Sequence, residues 1–415
     1  MESNNERFSL EELNGRPLRL LIGGSPCTHW SIAQKNNRET KPEGLGWELF
    51  ENYLIAKEKF KPNFFLYENN KSAAQPIKDQ ISKELGVDLQ YINSALVSAQ
   101  NRQRFYAHNI PGVNQPEDRG ILLVDILENG ATWLEKSYAL TTRCSGAIIS
   151  DTLKRHRYTM AAEPVRIGDI GSTAQAHRVY SSFGKSVTIN AGGGGQDGKT
   201  GLYIAPVFSF GSDDKDKAHC IDANYYKGSN PKQTLNKHRR TMVAELTDFN
   251  LDDYENVIIH ESGNIVIDGK LIYRIKDGYI WCKEEKYEID LPDGYYIIRK
   301  LTPIECERLQ TLPDNYTEGI SNAQRYKCIG NGWTAEVIIH ILSYIDIPKD
   351  YPIEVLSMYD GIATGRYCLD KLGYTNITYK AYEIDEYAKK VAMKNYHDII
   401  QCGDAYQVRE DDWKY

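Results

Sequence analysis

The chain has no pair of cysteines spaced as Cys-X-X-Cys, although it contains eight cysteines in 415 residues. Their scattered positions are typical of reduced thiols in a cytosolic protein and argue against a disulfide framework or a zinc site. No apolar run approaches the roughly 18 residues that a membrane-spanning helix needs. The segment Met1–Arg7 is polar, so we expect no secretory signal peptide. These absences predict a soluble, cytoplasmic protein.

Positive charge is scarce overall, because the formal net charge is −7. This argues against a surface that binds nucleic acid everywhere, but not against a local basic face. Residues 151–245 contain 14 Lys and Arg against 9 Asp and Glu, and they are rich in glycine and tyrosine. This composition suits contacts with phosphates and unstacked bases. A solvated, loop-rich domain explains it about equally well.

A short apolar run near the N-terminus ends in a distinctive turn. Leu20–Ile22 is followed by Gly23 and Gly24, and then by Ser25, Pro26 and Cys27. The run predicts a buried strand, and the glycines and proline predict a sharp turn at its end. Cys27 then lies just past the carboxyl end of a strand, where open parallel sheets bind ligands. For a single cysteine, a buried structural role is nevertheless the more common explanation.

Charged side chains follow the next predicted strands as well. Glu68 comes directly after the apolar strand 64–67, in the same topological position as Cys27. In the extended segment that follows, alternation places Arg102 and Arg104 on one face. Two guanidinium groups on one face suit phosphate or carbonyl oxygens, and they equally suit structural ion pairs.

Other elements are predicted from periodicity and capping signals. Residues 28–46 are polar and glycine-rich, which indicates either an ordinary solvated loop or a lid over a polyanion. Helices are predicted at 8–16, 47–60, 77–85, 302–310 and 330–342, and the fourth begins with a capping box at Thr302 and Glu305. Short strands are predicted at 186–191 and 219–223, and hairpin strands within 255–298 with turns at Asp268-Gly269 and Asp277-Gly278. We assign no chemistry to the acidic, β-rich stretch 255–298.

A strand, a glycine turn and a helix occur together near the C-terminus. Gly361 and Gly365 form the turn, and Glu383 follows the next predicted strand. In doubly wound sheets the glycines admit a nucleoside and the acid binds its ribose hydroxyls. The glycine spacing does not match the dinucleotide fingerprint, and a purely structural strand–turn–helix is about equally consistent with the pattern.

Together these motifs resemble those of the cytosine-5 DNA methyltransferases. The motifs are Gly24–Cys27, Glu68–Asn69, Gln100–Arg104, Thr302–Arg308, Gly330–Asn331 and Asp360–Gly365. The first and last are most similar to the animal de novo branch, and residues 178–203 are similar to target-recognition regions of phage and bacterial members. The resemblance implies an α/β fold with a doubly wound, Rossmann-like methyltransferase sheet and a smaller, irregular, β-rich target-recognition domain.

The order of the motifs departs from the usual order in that family. There the cofactor turn precedes the Pro-Cys turn, whereas here it lies near the C-terminus. We therefore expect a circularly permuted catalytic domain in two parts, residues 1–160 and 299–415, with the target-recognition domain at 161–298.

The resemblance also implies roles for the residues of the site. Cys27 attacks C6 of a flipped cytosine, and Glu68 holds and protonates N3. Arg104 contacts the base carbonyl, and Arg102 braces the thiol end. S-adenosyl-L-methionine is the implied methyl donor, with Glu383 on its ribose, and no metal is implied. The expected cofactor contacts are Tyr359, Asp360, Gly361, Ile362, Thr364, Gly365, Glu383, Ile384, Asp404, Ala405, Pro26, Asn331, Trp333 and Thr334. The expected contacts with double-stranded DNA are Ser31, Lys35, Arg38, Arg178, Thr188, Lys227, Lys237, Arg239 and Arg240.

Two alternatives to a DNA methyltransferase stay open from the sequence. One is an RNA methyltransferase of the same fold that acts on tRNA, and the size of the 145–298 region argues against it. The other is an inactive DNA-binding regulator, and the joint presence of Cys27, Glu68 and Glu383 argues against that. We expect a monomer with no membrane partner. The target sequence, the final proton acceptor and a partnership with a restriction endonuclease are left open.

Overall fold

The computed structural model describes residues 10–31, 38–164, 166–169, 178–181, 202–204, 257–267, 269–282 and 284–411. The chain divides into two compact units: unit 1 is drawn from 1–126, 136–147 and 302–415, and unit 2 from 127–135 and 148–301. These boundaries differ from the expected 160/161 and 298/299. The first one shifts because Ile149 and Leu153 pack into an apolar cluster of unit 2.

The described helices lie mostly in unit 1. They are α1 (Leu45–Phe60), α2 (Gln75–Leu85), α3 (Leu123–Ile126), α4 (Ile149–Arg155), α5 (Pro303–Leu309), α6 (Asn322–Asn331), α7 (Ala335–Leu342), α8 (Thr364–Lys371) and α9 (Glu386–Asn395). Short 3-10 helices lie at Leu10–Leu13, Cys27–His29, Ser94–Leu96, Cys144–Gly146 and Ala405–Arg409. Within the described residues, no helix is long and apolar enough to cross a membrane.

The described strands are numbered in chain order. They are β1 (Leu18–Gly23), β2 (Phe64–Asn70), β3 (Leu89–Asn93), β4 (Gln100–Asn101), β5 (Gln103–His108), β6 (Ser137–Tyr138), β7 (Met160–Pro164), β8 (Arg166–Asp169), β9 (Arg178–Ser181), β10 (Leu202–Ile204), β11 (Val257–Ile259), β12 (Ile265–Ile267), β13 (Lys270–Lys276), β14 (Tyr279–Cys282), β15 (Glu285–Glu288), β16 (Gly294–Lys300), β17 (Ile353–Met358), β18 (Ile377–Tyr382) and β19 (Ile400–Gly403).

Unit 1 is organised around a seven-stranded sheet with the order β19-β18-β17-β1-β2-β5-β3. Neighbouring strands from β19 to β2 are parallel, and β5 is antiparallel to both β2 and β3. The strand order reverses its direction between β17 and β1. In doubly wound sheets such a reversal opens a crevice at the carboxyl ends of the two strands, where ligands bind.

The sheet is buried on both faces, as expected for parallel strands between helical layers. In β1, Leu20 and Ile22 belong to one apolar cluster, whereas Leu21 belongs to another. Successive side chains of a strand point to opposite faces, so these clusters are the two helical layers. The first cluster includes residues of α7 and α8, and the second includes residues of α1 and α2.

In the described residues, unit 2 is built mostly from antiparallel pairs, and the pair formed by β9 and β10 is parallel. The strands β11 to β15 follow one another in a sheet, and β16 pairs with β13 and β7. The hairpin predicted at Asp277-Gly278 joins β13 to β14, and both residues have positive φ. This left-handed conformation is what a tight two-residue hairpin turn requires. The strands predicted at 186–191 and 219–223 lie outside the described residues.

Three predictions about local structure are wrong in detail. The N-terminal helix is a 3-10 turn at Leu10–Leu13 in the described part. Glu68 does not follow its strand but lies inside β2, because β5 pairs with β2 as far as Asn70. Gly330 does not begin a helix, because α6 ends at Asn331 and α7 begins at Ala335. The capping box at Thr302 and Glu305 is present as predicted.

A buried ion pair fixes the connection that follows α5. Glu307 is inaccessible to solvent and lies 2.9 Å from the Nη2 atom of Arg325. It also accepts hydrogen bonds from the backbone N–H groups of Asn315 (2.7 Å) and Thr317 (2.8 Å). These donors satisfy both carboxylate oxygens, which is the condition under which a buried charge is tolerated.

We predict that Glu307→Ala lowers the free energy of unfolding by about 3–5 kcal/mol, because it leaves Arg325 as an uncompensated buried charge. Urea unfolding of the purified protein measures this change. The matched control is Glu318→Ala, since Glu318 is exposed and lies 3.9 Å from Lys394. We expect it to cost less than about 1 kcal/mol. Equal costs for the two variants would contradict the prediction.

Candidate active site

A cleft of about 440 Å³ opens in unit 1 at the carboxyl ends of the central strands. This volume is typical of a pocket for a small organic ligand. Most of the residues predicted for catalysis and for cofactor binding line this one cleft. They are Pro26, Cys27, Glu68, Arg102, Arg104, Asn331, Trp333, Tyr359, Gly361, Ile362, Glu383, Ile384, Asp404 and Ala405.

Two glycines at the end of β1 allow the turn that carries Cys27. A Cβ atom on Gly23 would lie 2.6 Å from the carbonyl oxygen of Met358, and one on Gly24 would lie 2.5 Å from that of Glu68. Only glycine permits so close an approach of neighbouring backbones. Cys27 then begins a short 3-10 helix, half-exposed at the cleft, and its thiol is not part of a disulfide.

Buried hydrogen bonds hold this turn against β2. The hydroxyl groups of Ser25 and Tyr67 lie 2.7 Å apart, and Asn69 Nδ2 donates to the Ser25 carbonyl at 2.9 Å. Asn69 also donates to the Tyr67 hydroxyl at 3.1 Å. Burial raises the pKa of Tyr67, so the phenol stays neutral and can share these bonds. The position of Cys27 therefore depends on side chains of the neighbouring strand.

The carboxylate of Glu68 is held between two donors. Its Oε1 atom lies 2.8 Å from Nε of Arg104, and its Oε2 atom accepts a hydrogen bond from Trp333 Nε1 at 3.1 Å. The side chain is only 12% exposed. Because each oxygen keeps a further lone pair, Glu68 can still bind a donor that enters the cleft.

Arg102 is buried, and its guanidinium group is directed at backbone carbonyl groups. It donates to Leu140 at 3.1 Å and to Gly332 at 2.9 Å. Burial, helped by the neighbouring charge of Arg104, lowers the pKa of Arg102 to about 10, so the group stays cationic at neutral pH. Arg102 thus provides fixed positive charge near Cys27 and also fixes the backbone after α6.

The turn after β17 is held by a carboxylate that follows β18 and has a fixed orientation. Glu383 Oε2 accepts the Gly361 N–H at 2.8 Å, and Oε1 accepts the N–H groups of Ile384 and Asp385 at 2.8 and 2.7 Å. Gly361 has φ +64°, and a Cβ atom there would meet nothing within 4 Å. The side chain of Ile384 is 66% exposed beside this turn. An anchored acid, an open glycine and an exposed apolar surface suit a ribose and a flat ring.

Four residues predicted to bind the cofactor do not line the cleft. Thr364 begins α8 and is buried, and Thr334 Oγ1 bonds to Ser94 and Gln310. A Cβ atom on Gly365 would lie 2.3 Å from Ile22 Cδ1, so this glycine lets α8 pack closely on β1. The fourth, Asp360, is described below.

The side chain of Asp360 lies behind the turn, where its Oδ2 atom is buried although the residue as a whole is only partly buried. Its Oδ1 atom accepts hydrogen bonds from Ser357 (2.7 Å) and Tyr379 (2.6 Å). Among the described residues, its Oδ2 atom has no hydrogen-bond partner. Burial raises the pKa of this carboxyl from its ordinary value of 3.8 to about 6. Asp360 therefore holds β17 and β18 in register beneath the turn. Burial of its charged form lowers the stability of the fold.

Residues 28–46 are predicted to form a loop. The described residues on either side of 32–37 are anchored by hydrogen bonds. Trp30 is completely buried, and its Nε1 atom donates to Glu39 Oε2 at 3.0 Å. The Gly46 N–H donates to the same carboxylate. The described ends of this segment are thus part of the packed fold, which is not what an ordinary solvated loop predicts.

The residues predicted to contact DNA are only partly described. Arg38 donates to the carbonyl oxygens of Trp30 (3.2 Å) and Ser72 (2.6 Å), and the Ser31 N–H donates to that of Cys27 (3.0 Å). Arg178 lies in β9, where only its backbone is described. The others lie outside the described residues: Lys35, Thr188, Lys227, Lys237, Arg239 and Arg240.

Sequence reasoning missed two features of the site. The contact of Trp333 with Glu68 joins residues 265 positions apart, and no local pattern indicates it. The Ser25–Tyr67 hydrogen bond could have been found from the sequence. In alternate positions of a strand, Tyr67 and Asn69 share one face, and that face meets the turn after β1.

Comparisons with known proteins agree with this geometry. A family model described as C-5 cytosine-specific DNA methylase matches residues 5–116 and 200–346, which is more than half of the chain. The orphan methyltransferase M.SPRI of Bacillus phage SPR is 26% identical over 381 residues, covering 77% of this chain and 80% of the phage protein. The orphan methyltransferase M.Rho11sI of Bacillus phage rho11s is 23% identical over 420 residues, covering 77% and 83%. A shorter match of 54 residues, 48% identical, covers 13% of this chain and 13% of the type II methyltransferase M.Sau3AI of Staphylococcus aureus.

We predict that Asp360→Asn gains stability over the wild type as the pH rises. In the wild type, the buried carboxyl ionises less readily than in the unfolded chain, so native stability is lost between pH 3.8 and about pH 6. Asparagine removes this dependence. Between pH 5 and pH 7, the variant should gain about 1 kcal/mol of unfolding free energy relative to the wild type. Urea titrations at the two pH values measure it. Asp346→Asn, at an exposed position, serves as the control, and the same gain there would contradict the assignment.

Proposed function

Because this chain belongs to the C-5 cytosine-specific DNA methylase family, and is thus a DNA (cytosine-5)-methyltransferase, we propose that Cys27 is the nucleophile that attacks cytosine. The observation that carries this proposal is the cleft itself. Cys27, Glu68 and two arginines line the same cavity as Gly361 and Glu383. A nucleophile, a proton donor and a cofactor site are thereby in one place.

Most steps of the reaction have a candidate residue. The Cys27 thiolate adds to C6 of the ring while the carboxyl group of Glu68, in its protonated form, gives its proton to N3, so the C5–C6 double bond is replaced by an enamine. The enamine carbon C5 is then nucleophilic enough to accept a methyl group. Loss of the C5 proton to a base, expulsion of Cys27 from C6 and return of the N3 proton to Glu68 restore the aromatic ring. Arg102 provides a fixed cation near the thiol of Cys27, and Arg104 orients Glu68 and faces the base carbonyl.

The family requires a methyl donor, and we propose S-adenosyl-L-methionine. When bound, it supplies the methyl group to C5. The cavity volume fits a ligand of this size. Glu383 would bind the ribose hydroxyls, Ile384 would lie against adenine, and Asp404 would contact its edge. Asn331 and Trp333 line the part of the cleft proposed for the methionine end.

We also propose that the catalytic domain is circularly permuted. If the chain is read from β17 to β19 and then from β1 to β5, the sheet is wound outward on both sides of the β17–β1 junction. This is the organisation of a doubly wound sheet. In this chain, however, the cofactor half follows the catalytic half. The family match ends at residue 346, before β17 begins, which supports the same interpretation.

We propose that unit 2 reads the DNA target. The cytosine must leave the duplex for C5 and C6 to be reached, and residues 28–46 are the candidate segment that closes behind it. The locally basic stretch 151–245 falls within unit 2, where phosphate contacts are needed. The family match to DNA methylases supports duplex DNA as the substrate.

The biological setting follows from the relatives and from the site. Two relatives that align over most of this chain are named orphan methyltransferases. This favours a solitary enzyme over one paired with a restriction endonuclease. The described cleft is lined by residues of a single unit, which supports the proposal of a monomer. A DNA substrate and scattered thiols are consistent with a cytoplasmic enzyme.

We predict that Cys27→Ser lowers DNA methylation by at least about a thousand-fold, since the hydroxyl group is a much weaker nucleophile at neutral pH. Bisulfite sequencing of a plasmid from expressing cells measures the activity and the target context together. With duplex DNA containing 5-fluorocytosine and S-adenosylmethionine, the wild type should form a covalent adduct, because fluorine cannot leave as a proton does.

The matched control is Cys402→Ser, because Cys402 is also partly exposed in unit 1 but does not line the cleft. It should methylate at the wild-type rate and form the adduct. A covalent adduct of undiminished yield with Cys27→Ser, or the absence of an adduct with the wild type, would contradict the proposed mechanism.

We predict that Glu383→Gln weakens binding of S-adenosylhomocysteine at least tenfold. The neutral amide is a weaker acceptor for ribose hydroxyls, and its NH₂ group cannot accept the backbone N–H groups that hold the carboxylate. Isothermal titration calorimetry measures the dissociation constant. Glu386→Gln is the matched control, since Glu386 is 90% exposed on the same segment. Unchanged affinity in Glu383→Gln would place the ribose elsewhere.

A further inference from the structure

One hydrogen bond joins two parts of the cleft that the proposed function gives different tasks. Trp333 Nε1 donates to Glu68 Oε2 at 3.1 Å. Glu68 belongs to the chemistry at the base, whereas Trp333 lies on the turn between α6 and α7, on the side proposed for the cofactor. An indole N–H can only donate, so it needs an acceptor when buried, and here the acceptor is the carboxylate.

Buried side chains hold the backbone of the turn that carries Trp333. Arg102 donates to the Gly332 carbonyl, and Gln310 Nε2 donates to the carbonyl groups of Ile329 (2.8 Å) and Gly332 (3.2 Å). The Thr334 hydroxyl group bonds to Gln310 Oε1 at 2.9 Å. The backbone on both sides of Trp333 is therefore held by buried side chains, which gives the indole ring a defined position.

Together with Arg104, Trp333 leaves Glu68 one orientation. The Nε atom of Arg104 holds Oε1 at 2.8 Å, and the indole holds Oε2. Without the second donor, the carboxylate can rotate about its last bond while it keeps the ion pair. A proton donor must face its acceptor within about 3 Å to act efficiently, so this rotation matters for the protonation of N3.

We propose that Trp333 is a positioning residue for Glu68. Its indole N–H orients the Glu68 carboxyl group toward N3 of the target cytosine. This rests on the proposed function of Glu68. The methyl donor and the base would then share one structural element, because the turn that holds Glu68 is also a wall of the proposed cofactor site.

The test measures base activation with the methyl donor left out. Duplex DNA carrying [5-³H]cytosine is incubated with the enzyme alone. Addition of Cys27 to C6 with protonation of N3 gives the enamine, which takes a proton from water at C5. Loss of the tritium from C5, of the proton from N3 and of Cys27 from C6 then returns cytosine. Tritium release therefore reports on Glu68 and is independent of any contact between Trp333 and the methyl donor.

We expect Trp333→Phe to slow tritium release by about ten- to a hundred-fold, the range for losing a hydrogen bond to a charged group. Trp333→Leu is the second variant, since it also lacks a hydrogen-bond donor and retains an apolar side chain. Trp47→Phe is the matched control, because Trp47 packs on Phe50 away from the cleft. It should release tritium at the wild-type rate. Thermal unfolding of each variant confirms that it is folded.

In a Glu68→Ala background, replacing Trp333 by Phe should cause no further loss, since the group that it positions is gone. Normal tritium release from either folded Trp333 variant, or a further tenfold loss in the Glu68→Ala background, would overturn the inference while leaving the proposed function intact. Absence of release from the wild type, or normal release from Cys27→Ser, would instead overturn the proposed function and this inference with it.

Discussion

The parallel pairing of β1 with β17 is the constraint on which the rest of unit 1 depends. Leu18 to Gly23 pair in register with Ile353 to Met358, and the strand order reverses at this junction. The turns after the two strands therefore meet at one edge of the sheet, one bearing Cys27 and the other Gly361. The bare backbones of Gly23 and Gly24 let the neighbouring strands approach closely enough for a single cleft to form.

Much of this arrangement could be predicted because it is encoded locally. Apolar runs ending in glycine locate the strands, and the carboxyl ends of parallel strands gather at one edge whatever the loops do. Thus Cys27 and Glu383 could be assigned to the site before any coordinates. The capping box at Thr302 is equally local, since all its partners lie within four residues. The permuted order followed from motif order alone and stays a proposal.

The parts that could not be predicted are those set by contacts between distant segments. Whether Glu68 lies at the end of β2 or inside it depends on how far β5 pairs with β2. The sequence of β2 alone does not indicate the extent of this pairing. The ends of the 28–46 segment are anchored by Glu39 through side-chain contacts that composition does not reveal. Trp333 was expected near the cofactor, yet its partner is a side chain from the other half of the sheet.

The β1–β17 pairing also has a consequence for biosynthesis. The paired residues Leu18 and Ile353 are 335 positions apart, and at about 5–20 residues per second the ribosome needs roughly 15 to 70 s to make the intervening chain. Throughout that time β1 has one edge without its partner strand. The strand at the centre of the finished sheet is thus made long before the strand that completes its pairing. Folding of the central sheet must wait until β17 has been made.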